Sequence, residues 1–403
     1  IYAMQFFTGI VSICIYLIFI IFFIDENNLI LLLHLFFIIS AQFDINWFFF
    51  GLEKFKITII RNIIIKIIVL VSIFLFVRTS NDLWIYTLIM SFGTFLSQSA
   101  VWVLVKKHVS FVKPSLKEIK KHIKPNLVLF VPVIAYSIYK VMDKIMIGSM
   151  VGMSQLGLYE NAGKLISIPL GILIAVGTVM LPRMSNLVAN NKNSELRIYI
   201  EKSMMFISII TYPILFGISA ISTILAPVFF GSEFRESGPL ITYMSPTILL
   251  IAWSNIVRTQ YLIPKNKNKV YIISTICGAL VNLVLNLMLI PSLFALGAVI
   301  ATIAAEATVT IIIFISVRRK LNICKYVISN FKYGIFGLIM YFPVRFLGDI
   351  MGEQISTLFY QIITGFVVYG TCILLYVIIS RDEQLYPLFC KLFNTINKRI
   401  QKI

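Results

Sequence analysis

Residues 270–290 read VYIISTICGALVNLVLNLMLI, and residues 296–317 read LGAVIATIAAEATVTIIIFISV. Each run is long and apolar enough to cross a hydrocarbon layer of about 30 Å as a helix, which needs about 20 residues. Basic residues flank this pair of runs: Lys265, Lys267 and Lys269 before it, and Arg318, Arg319 and Lys320 after it. Since two crossings return the chain to its starting side, both basic flanks are predicted to lie on one side of a membrane.

The same pattern extends over the whole chain of 403 residues, which is 59% hydrophobic and 13% charged with a mean hydropathy of +0.93. An average soluble domain is about 45–50% apolar and about 25% charged. The composition therefore excludes a soluble globule and predicts an all-α polytopic membrane protein with about twelve transmembrane helices. The predicted spans are 4–24, 29–50, 57–77, 83–104, 126–150, 156–182, 203–228, 239–263, 270–290, 296–317, 333–349 and 356–380.

The basic residues fix the predicted orientation, because Lys and Arg in short loops resist translocation. Twenty-six of them lie in the loops and tail on one side of the spans, and only Arg78 and Arg235 lie on the other. Both termini are therefore predicted to be cytoplasmic. The net charge of +18 sits in short gaps between apolar runs, which favours anionic membrane lipids as partners and argues against nucleic acid.

The spans group into four predicted segments. Residues 1–106 form an N-lobe with four spans, and residues 107–125 form a basic cytoplasmic loop with a surface helix near 115–123. Residues 126–317 form a C-lobe with six spans, and residues 318–403 form two additional helices and a basic tail with a second surface helix. The span 333–349 is the shortest and carries Arg345, so a helix lying in the interface is its alternative interpretation.

Eleven charged residues fall inside the predicted spans, not counting Asp349 at the last position of the span 333–349. Each charge near the bilayer centre costs about 2.5–3.5 kcal/mol. The cations are Arg61, Lys66, Lys140, Lys144, Lys164, Arg258 and Arg345, and the acids are Asp44, Asp143, Glu160 and Glu306. Such residues are expected to face a wet cavity or an opposite charge. Because the cations exceed the acids, the pattern favours a cavity that accepts an anion.

Two neighbouring spans carry most of these charges. Lys140, Asp143 and Lys144 share one helical face, and Glu160 and Lys164 have the i, i+4 spacing of an ion pair. Two interpretations stay open. Asp143 and Glu160 neutralise Lys140 and Lys164 and so join two helices, or the lysines form a binding face for an anion.

Glu306 lies mid-span among small residues, with no cation within four positions. A proton or Na⁺ would neutralise such a carboxylate most easily, so Glu306, alone or with Asp143, is predicted to couple transport to an ion gradient, while packing is the alternative. Asp44 has the same ambiguity. The three histidines lack metal-ligand spacing, and the five cysteines include no CxxC pair. These features predict a transporter without a bound cofactor, rather than an enzyme.

Several short stretches resemble the Wzx-type flippases of bacterial polysaccharide assembly, which belong to the multidrug/oligosaccharidyl-lipid/polysaccharide exporter superfamily. These stretches are NWFFFGLE at 46–53, RN at 61–62, KPSL at 113–116, KPN at 124–126, YKVMDKIMIG at 139–148, GLYENA at 157–162 and VMLPRMS at 179–185. Together these stretches are specific for this family, whereas each one alone is a weak signal. The resemblance implies fourteen helices, with two six-helix lobes around a central cationic cavity, so the chain is expected to lack the first two helices.

The resemblance also implies a function, namely alternating-access export of undecaprenyl-diphosphate-linked oligosaccharides across the bacterial cytoplasmic membrane for capsule, O-antigen or exopolysaccharide assembly. Polysaccharide assembly proteins are the implied partners. On this view Lys140, Lys144 and Lys164, with Lys66 and Arg61 on the other lobe, contact the diphosphate. A cation-coupled drug exporter of the same superfamily is the alternative, and an intramembrane polysaccharide polymerase or ligase is a more distant one.

Overall fold

The computed structural model of the protein describes residues 2–23, 28–52, 54–105, 109, 115–381 and 386. This part of the chain is helical and contains no β-strand, which confirms the predicted all-α class. The first helices are α1 (Tyr2–Phe23), α2 (Asn28–Phe43), α3 (Asn46–Gly51), α4 (Phe55–Phe76), α5 (Leu83–Ala100) and α6 (Trp102–Val105). They are followed by α7 (Leu116–Met150), α8 (Met153–Ala189), α9 (Asn193–Phe230), α10 (Ser237–Met244), α11 (Pro246–Val257), a π-helix (Arg258–Leu262), α12 (Asn268–Val317), α13 (Ile323–Met351) and α14 (Ile355–Ser380).

Within these described ranges, ten helical stretches are long and apolar enough to cross a membrane. The longest, α12, contains the two predicted spans 270–290 and 296–317. Between them its backbone leaves the helical region at Phe294 (φ 53°, ψ −135°). A Cβ atom on Gly297 would lie 2.5 Å from the backbone of Leu289, so only glycine permits the close approach of the two halves. The predicted span 126–150 lies on α7. A polytopic membrane fold is therefore confirmed.

The first compact unit comprises Ile1–Val131. Its helix α5 packs against α2 and α4, and α1 packs against α2. Its small core contains Ile45, Phe49, Val101 and Val105. The apolar window of α4 buries none of its residues, as suits a helix whose side chains face lipid, since hydrocarbon removes the penalty that water imposes on apolar surface.

The second compact unit comprises Pro132–Ile403 and holds the main apolar core. Its centre is α9, which packs against α10, α11 and α13, while α13 also packs against α14. Helix α13 has 29 residues and extends beyond the predicted span 333–349 at both ends, long enough for a crossing. Its Arg345 donates to Thr223 Oγ1 at 2.6 Å and lies 3.4 Å from Asp349 Oδ1.

The structure differs from the prediction of a separate surface helix in the basic loop. Residues 116–125 are helical, but they are continuous with the following span in α7. Ser115 caps α7. Its backbone N–H donates to Glu118 Oε2 at 2.8 Å, and the Glu118 N–H donates to Ser115 Oγ at 3.3 Å, the reciprocal bonds of a capping box. The Ser115 bonds hold the pKa of Glu118 below its ordinary value.

The boundary between the compact units falls between Val131 and Pro132, inside α7. The proposed lobe limits at 106, 125 and 317 therefore stay predictions. The predicted surface helix of the basic tail lies outside the described residues, apart from Arg381 and Tyr386.

Candidate functional site

A buried carboxylate lies among neutral polar side chains inside the second unit. Asp143 on α7 is only 7% exposed. Its Oδ2 accepts hydrogen bonds from Tyr159 at 2.8 Å and Thr302 at 2.9 Å, and its Oδ1 accepts one from Asn286 Nδ2 at 2.6 Å. Asn286 Nδ2 also lies 3.1 Å from Asn282 Oδ1. We call these five residues the Asp143 cluster.

Three helices build the Asp143 cluster. Asp143 comes from α7 and Tyr159 from α8, while Asn286 and Thr302 come from the two halves of α12. The bend at Phe294 brings these two halves alongside each other. Asn286 and Thr302, which are 16 positions apart, therefore bond to the same carboxylate. The cluster therefore depends on the turn between the two predicted spans of α12.

Two side-chain amide atoms of the Asp143 cluster have no hydrogen-bond partner in the described part of the chain. These atoms are Asn282 Nδ2 and Asn286 Oδ1, and both residues are fully buried. Thr302 Oγ1 lies 2.9 Å from the Ala298 carbonyl as well as from Asp143. A buried polar group without a partner costs about 1–3 kcal/mol, so the free donor on Asn282 and the free acceptor on Asn286 leave room for a further polar ligand.

Lys144 follows Asp143 directly, but its side chain is more exposed. It forms an ion pair with Glu160 of α8, and the two side chains are 41% and 31% exposed. The expected Glu160–Lys164 pair is wrong in this structure, because Glu160 bonds across to α7. Lys164 is exposed, and its Nζ lies 3.3 Å from Asn161 Oδ1. Lys140 lies on α7 with its side chain outside the described part of the structure.

In the first unit, Arg61 on α4 is held by amide side chains. Its Nη2 donates to Asn46 Oδ1 at 3.0 Å and to Asn62 Oδ1 at 2.8 Å. Asp44 accepts the Asn46 N–H at 2.9 Å and lies close enough to attract the Arg61 charge. Arg61 Nε and Nη1 have no hydrogen-bond partner among the described residues, so donors stay free for an anion. Lys66, further along α4, is exposed.

Glu306 lies in a polar pocket rather than among apolar residues alone. The pocket of 140 Å³ is also lined by Asn255, Arg258 and Tyr271. The Arg258 guanidinium lies 4.7 Å from the centre of the Tyr271 ring and donates to Asn255 Oδ1 at 3.1 Å. No cation lies within four positions of Glu306 in the sequence, but the fold places Arg258 of the π-helix in the wall of the same pocket.

An apolar groove of 610 Å³ forms a third feature of the second unit. Its walls come from α8, α9, α13 and α14, and include Ile168, Ile214, Met340 and Phe366. Gln361 is a buried polar residue of this groove and donates to the Val344 carbonyl at 2.9 Å. The groove therefore offers aliphatic surface next to the two C-terminal helices.

Sequence reasoning found Asp143 but missed its partners Tyr159, Asn282, Asn286 and Thr302. The signal was present for the asparagines, which lie four residues apart on one face of an otherwise apolar run. Tyr159 stands inside the GLYENA stretch at 157–162. Thr302 carried no signal, because single threonines are frequent in apolar helices.

Comparisons with known proteins agree with this architecture. The family model described as Polysaccharide biosynthesis protein matches residues 2–188. The chain is 27% identical to a Shigella dysenteriae protein described as an O-antigen transporter, over 69% of this chain and 70% of that protein. It is 26% identical to a Haloferax volcanii protein described as a low-salt glycan biosynthesis flippase, over 75% of this chain and 64% of that protein. The chain thus spans about two thirds of the length of these relatives.

Among solved structures, the inward-closed conformation of the lipid II flippase MurJ shares the fold with a TM-score of 0.72. The match covers 88% of this chain and 74% of that one, at 19% sequence identity. The helices, the intramembrane charges and the relatives define a polytopic membrane transporter rather than an enzyme. Within that class, the predicted relationship to the Wzx-type polysaccharide flippases is confirmed.

Proposed function

We propose that the protein flips lipid-linked oligosaccharide repeat units, carried on undecaprenyl diphosphate, across the bacterial cytoplasmic membrane by alternating access. The products would feed O-antigen, capsule or exopolysaccharide assembly, together with the assembly proteins of that process. The observation that carries this proposal is a set of cations within the apolar helices of a chain whose relatives are described as an O-antigen transporter and a glycan biosynthesis flippase. A diphosphate carries about two negative charges at neutral pH, which cross hydrocarbon only beside compensating cations.

Lys144 and Lys164 in the second unit, and Arg61 in the first, are the described cations best suited to that contact. Lys144 is half-exposed and held by Glu160, so an incoming diphosphate would compete with this carboxylate for it. Arg61 is held by Asn46 and Asn62 with two guanidinium nitrogens to spare. Lys140 and Lys66 complete the proposed set. Rocking of the two lobes would expose the site to each side of the membrane in turn.

The apolar groove offers surface for the isoprenoid tail of the same substrate. Its aliphatic walls lie along α9, α13 and α14, where a prenyl chain would replace lipid tails at little cost. The tail would therefore stay in an apolar environment while the diphosphate moves past the lysines.

The Asp143 cluster is proposed to bind the coupling ion, Na⁺ or H⁺. Na⁺ takes oxygen ligands, as hard cations do, and the residues that would hold it are Asp143, Asn282, Asn286 and Thr302. The unpartnered carbonyl oxygen Oδ1 of Asn286 supports this fit. The ion would neutralise the Asp143 carboxylate and would hold α7 against both halves of α12. Glu306, beside Arg258, is the second candidate for coupling.

A reconstituted flipping assay tests this function. The full-length protein is placed in vesicles with a fluorescent polyprenyl-diphosphate oligosaccharide, and the accessibility of the sugar on each side is followed. We expect Lys144→Ala and Lys164→Ala each to slow flipping by at least about tenfold, a change of about 1.4 kcal/mol. Arg at either position should retain partial activity, because it keeps the cation.

Lys202→Ala is the matched control, since Lys202 is an exposed cation on α9. Wild-type flipping by both alanine variants would contradict the proposed binding face. Wild-type vesicles that move a lipophilic cationic dye and leave the oligosaccharide in place would instead identify a drug exporter.

A further inference from the structure

A basic pocket of 360 Å³ lies at the ends of three helices of the second unit, away from the Asp143 cluster and the apolar groove. Its volume is within the range of about 300–1,000 Å³ that is usual for small-molecule sites. Its polar lining residues are Asn193, Arg197, Tyr261, Lys265, Lys267 and Lys320. Four of these six side chains are cations, and no acid lines the pocket in the described part of the structure.

Three separate chain segments bring these cations together. Arg197 lies in the first turns of α9, Lys265 and Lys267 lie in the linker between the π-helix and α12, and Lys320 follows the end of α12. Asn266, between the two lysines, adopts a left-handed backbone with φ 54°. The resulting tight turn is closed by bonds from the Asn266 N–H to the Ile263 carbonyl at 2.9 Å and from the Lys267 N–H to the Leu262 carbonyl at 2.8 Å.

The pocket's charges are only partly compensated. Lys265 Nζ donates to Asn193 Oδ1, and Lys267 Nζ lies 5.7 Å from the centre of the Tyr261 ring. Of the neighbouring acids, Glu195 pairs with Lys192 at 2.9 Å, and Glu201 lies close to Tyr326, as does the pocket residue Arg197. Like charges around one cavity repel each other and raise the local concentration of anions, so the pocket is electrostatically prepared for an anionic ligand.

The position of the pocket indicates where that anion comes from. The span Asn193–Phe230 begins at the pocket, the span Ser237–Leu262 ends there, and Lys320 follows the span Asn268–Val317 by three residues. These positions are at the depth where hydrocarbon gives way to lipid headgroups. Leu196 adds an apolar wall. A phosphodiester attached to acyl chains would place its charge in the pocket and its chains against the helices.

We propose that this pocket binds the headgroup of an anionic phospholipid and thereby ties the start of α9, the π-helix linker and the end of α12 together. The proposal does not depend on glycan flipping. Because a ligand that binds only the folded state raises its stability, bound lipid should raise the unfolding temperature by about 3 °C or more when it is well above its dissociation constant.

Thermal unfolding and native mass spectrometry of the detergent-purified full chain test the proposal. The added probes are phosphatidylglycerol, phosphatidylcholine and inorganic phosphate. The pocket variant is Arg197→Gln/Lys265→Gln/Lys320→Gln. The control variant, Lys202→Gln/Lys269→Gln/Lys325→Gln, removes the same charge from exposed lysines that do not line the pocket.

We expect phosphatidylglycerol alone to raise the unfolding temperature and to stay bound in the gas phase, in the wild type and the control variant but not in the pocket variant. A full response in the pocket variant, or equal loss in the control variant, would overturn the proposal in favour of diffuse charge. An equal response to inorganic phosphate would overturn the lipid assignment. Should the pocket variant fail to fold, the single variant Lys320→Glu must weaken the phosphatidylglycerol response, and an unchanged response there overturns the proposal.

Discussion

Asp143 and Lys144 are neighbours in sequence and opposites in surroundings. Asp143 faces the interior of the second unit, where two hydroxyls and an amide hold its carboxylate. Lys144 points to a half-exposed surface and pairs with Glu160. One of the two interpretations of the charge pattern was that the acids neutralise the lysines. In the structure, neutral donors hold the buried Asp143 carboxylate, whereas the opposite charge of Glu160 holds the half-exposed Lys144. A single position along α7 thus separates a carboxylate suited to a small cation from a lysine suited to an anion.

The largest expected difference between the two positions is in stability. Asp143→Leu leaves the donors of Tyr159, Thr302 and Asn286 without an acceptor, so we expect the free energy of unfolding to fall by about 3 kcal/mol. Lys144→Leu breaks only a half-exposed ion pair and should cost less than about 1 kcal/mol. Thermal unfolding of both variants in the same detergent measures the difference. Equal losses would show that the two residues have similar roles.

The next effect concerns ion coupling. Asp143→Asn keeps the shape of the side chain but removes its charge, so gradient-driven flipping in vesicles should fall by at least about tenfold, or about 1.4 kcal/mol. Glu306→Gln should keep most of the response to an imposed Na⁺ or proton gradient, because Arg258 lines the same pocket. The reverse result, with coupling lost only in Glu306→Gln, would move the coupling site to the pocket beside Arg258.

The smallest expected effect is the interaction energy between Lys144 and Glu160. A double-mutant cycle with Lys144→Ala and Glu160→Ala should give a coupling energy of about 0.5 kcal/mol in unfolding experiments. The value should decrease from 0.1 M to 1 M salt, since the screening length falls from about 10 Å to about 3 Å. A coupling energy above about 2 kcal/mol that resists salt would mean that this pair holds α7 and α8 together and is not free for substrate.

Part of the candidate site was legible in the sequence. Asp143, Lys144 and Glu160 stand out because charges are rare and costly within apolar helices. The predicted partner of Glu160, Lys164, was wrong, because the i, i+4 rule considers only neighbours on one helix. In the structure Glu160 pairs with Lys144 on the adjacent helix α7. Asn282 and Asn286 were overlooked, because an amide side chain is far less conspicuous in an apolar run than a charge.

The sequence by itself determined the class of protein, the predicted spans and the relationship to polysaccharide flippases. Hydrocarbon accepts only helices whose backbone groups bond internally, so apolar length translates directly into structure. Only the tertiary structure decided which polar groups meet. The bend at Phe294 sets Asn286 and Thr302 on the same carboxylate, and the turn at Asn266 sets two lysines beside Arg197 and Lys320. These meetings join residues far apart in the chain, and their geometry follows from helix packing rather than from any local pattern.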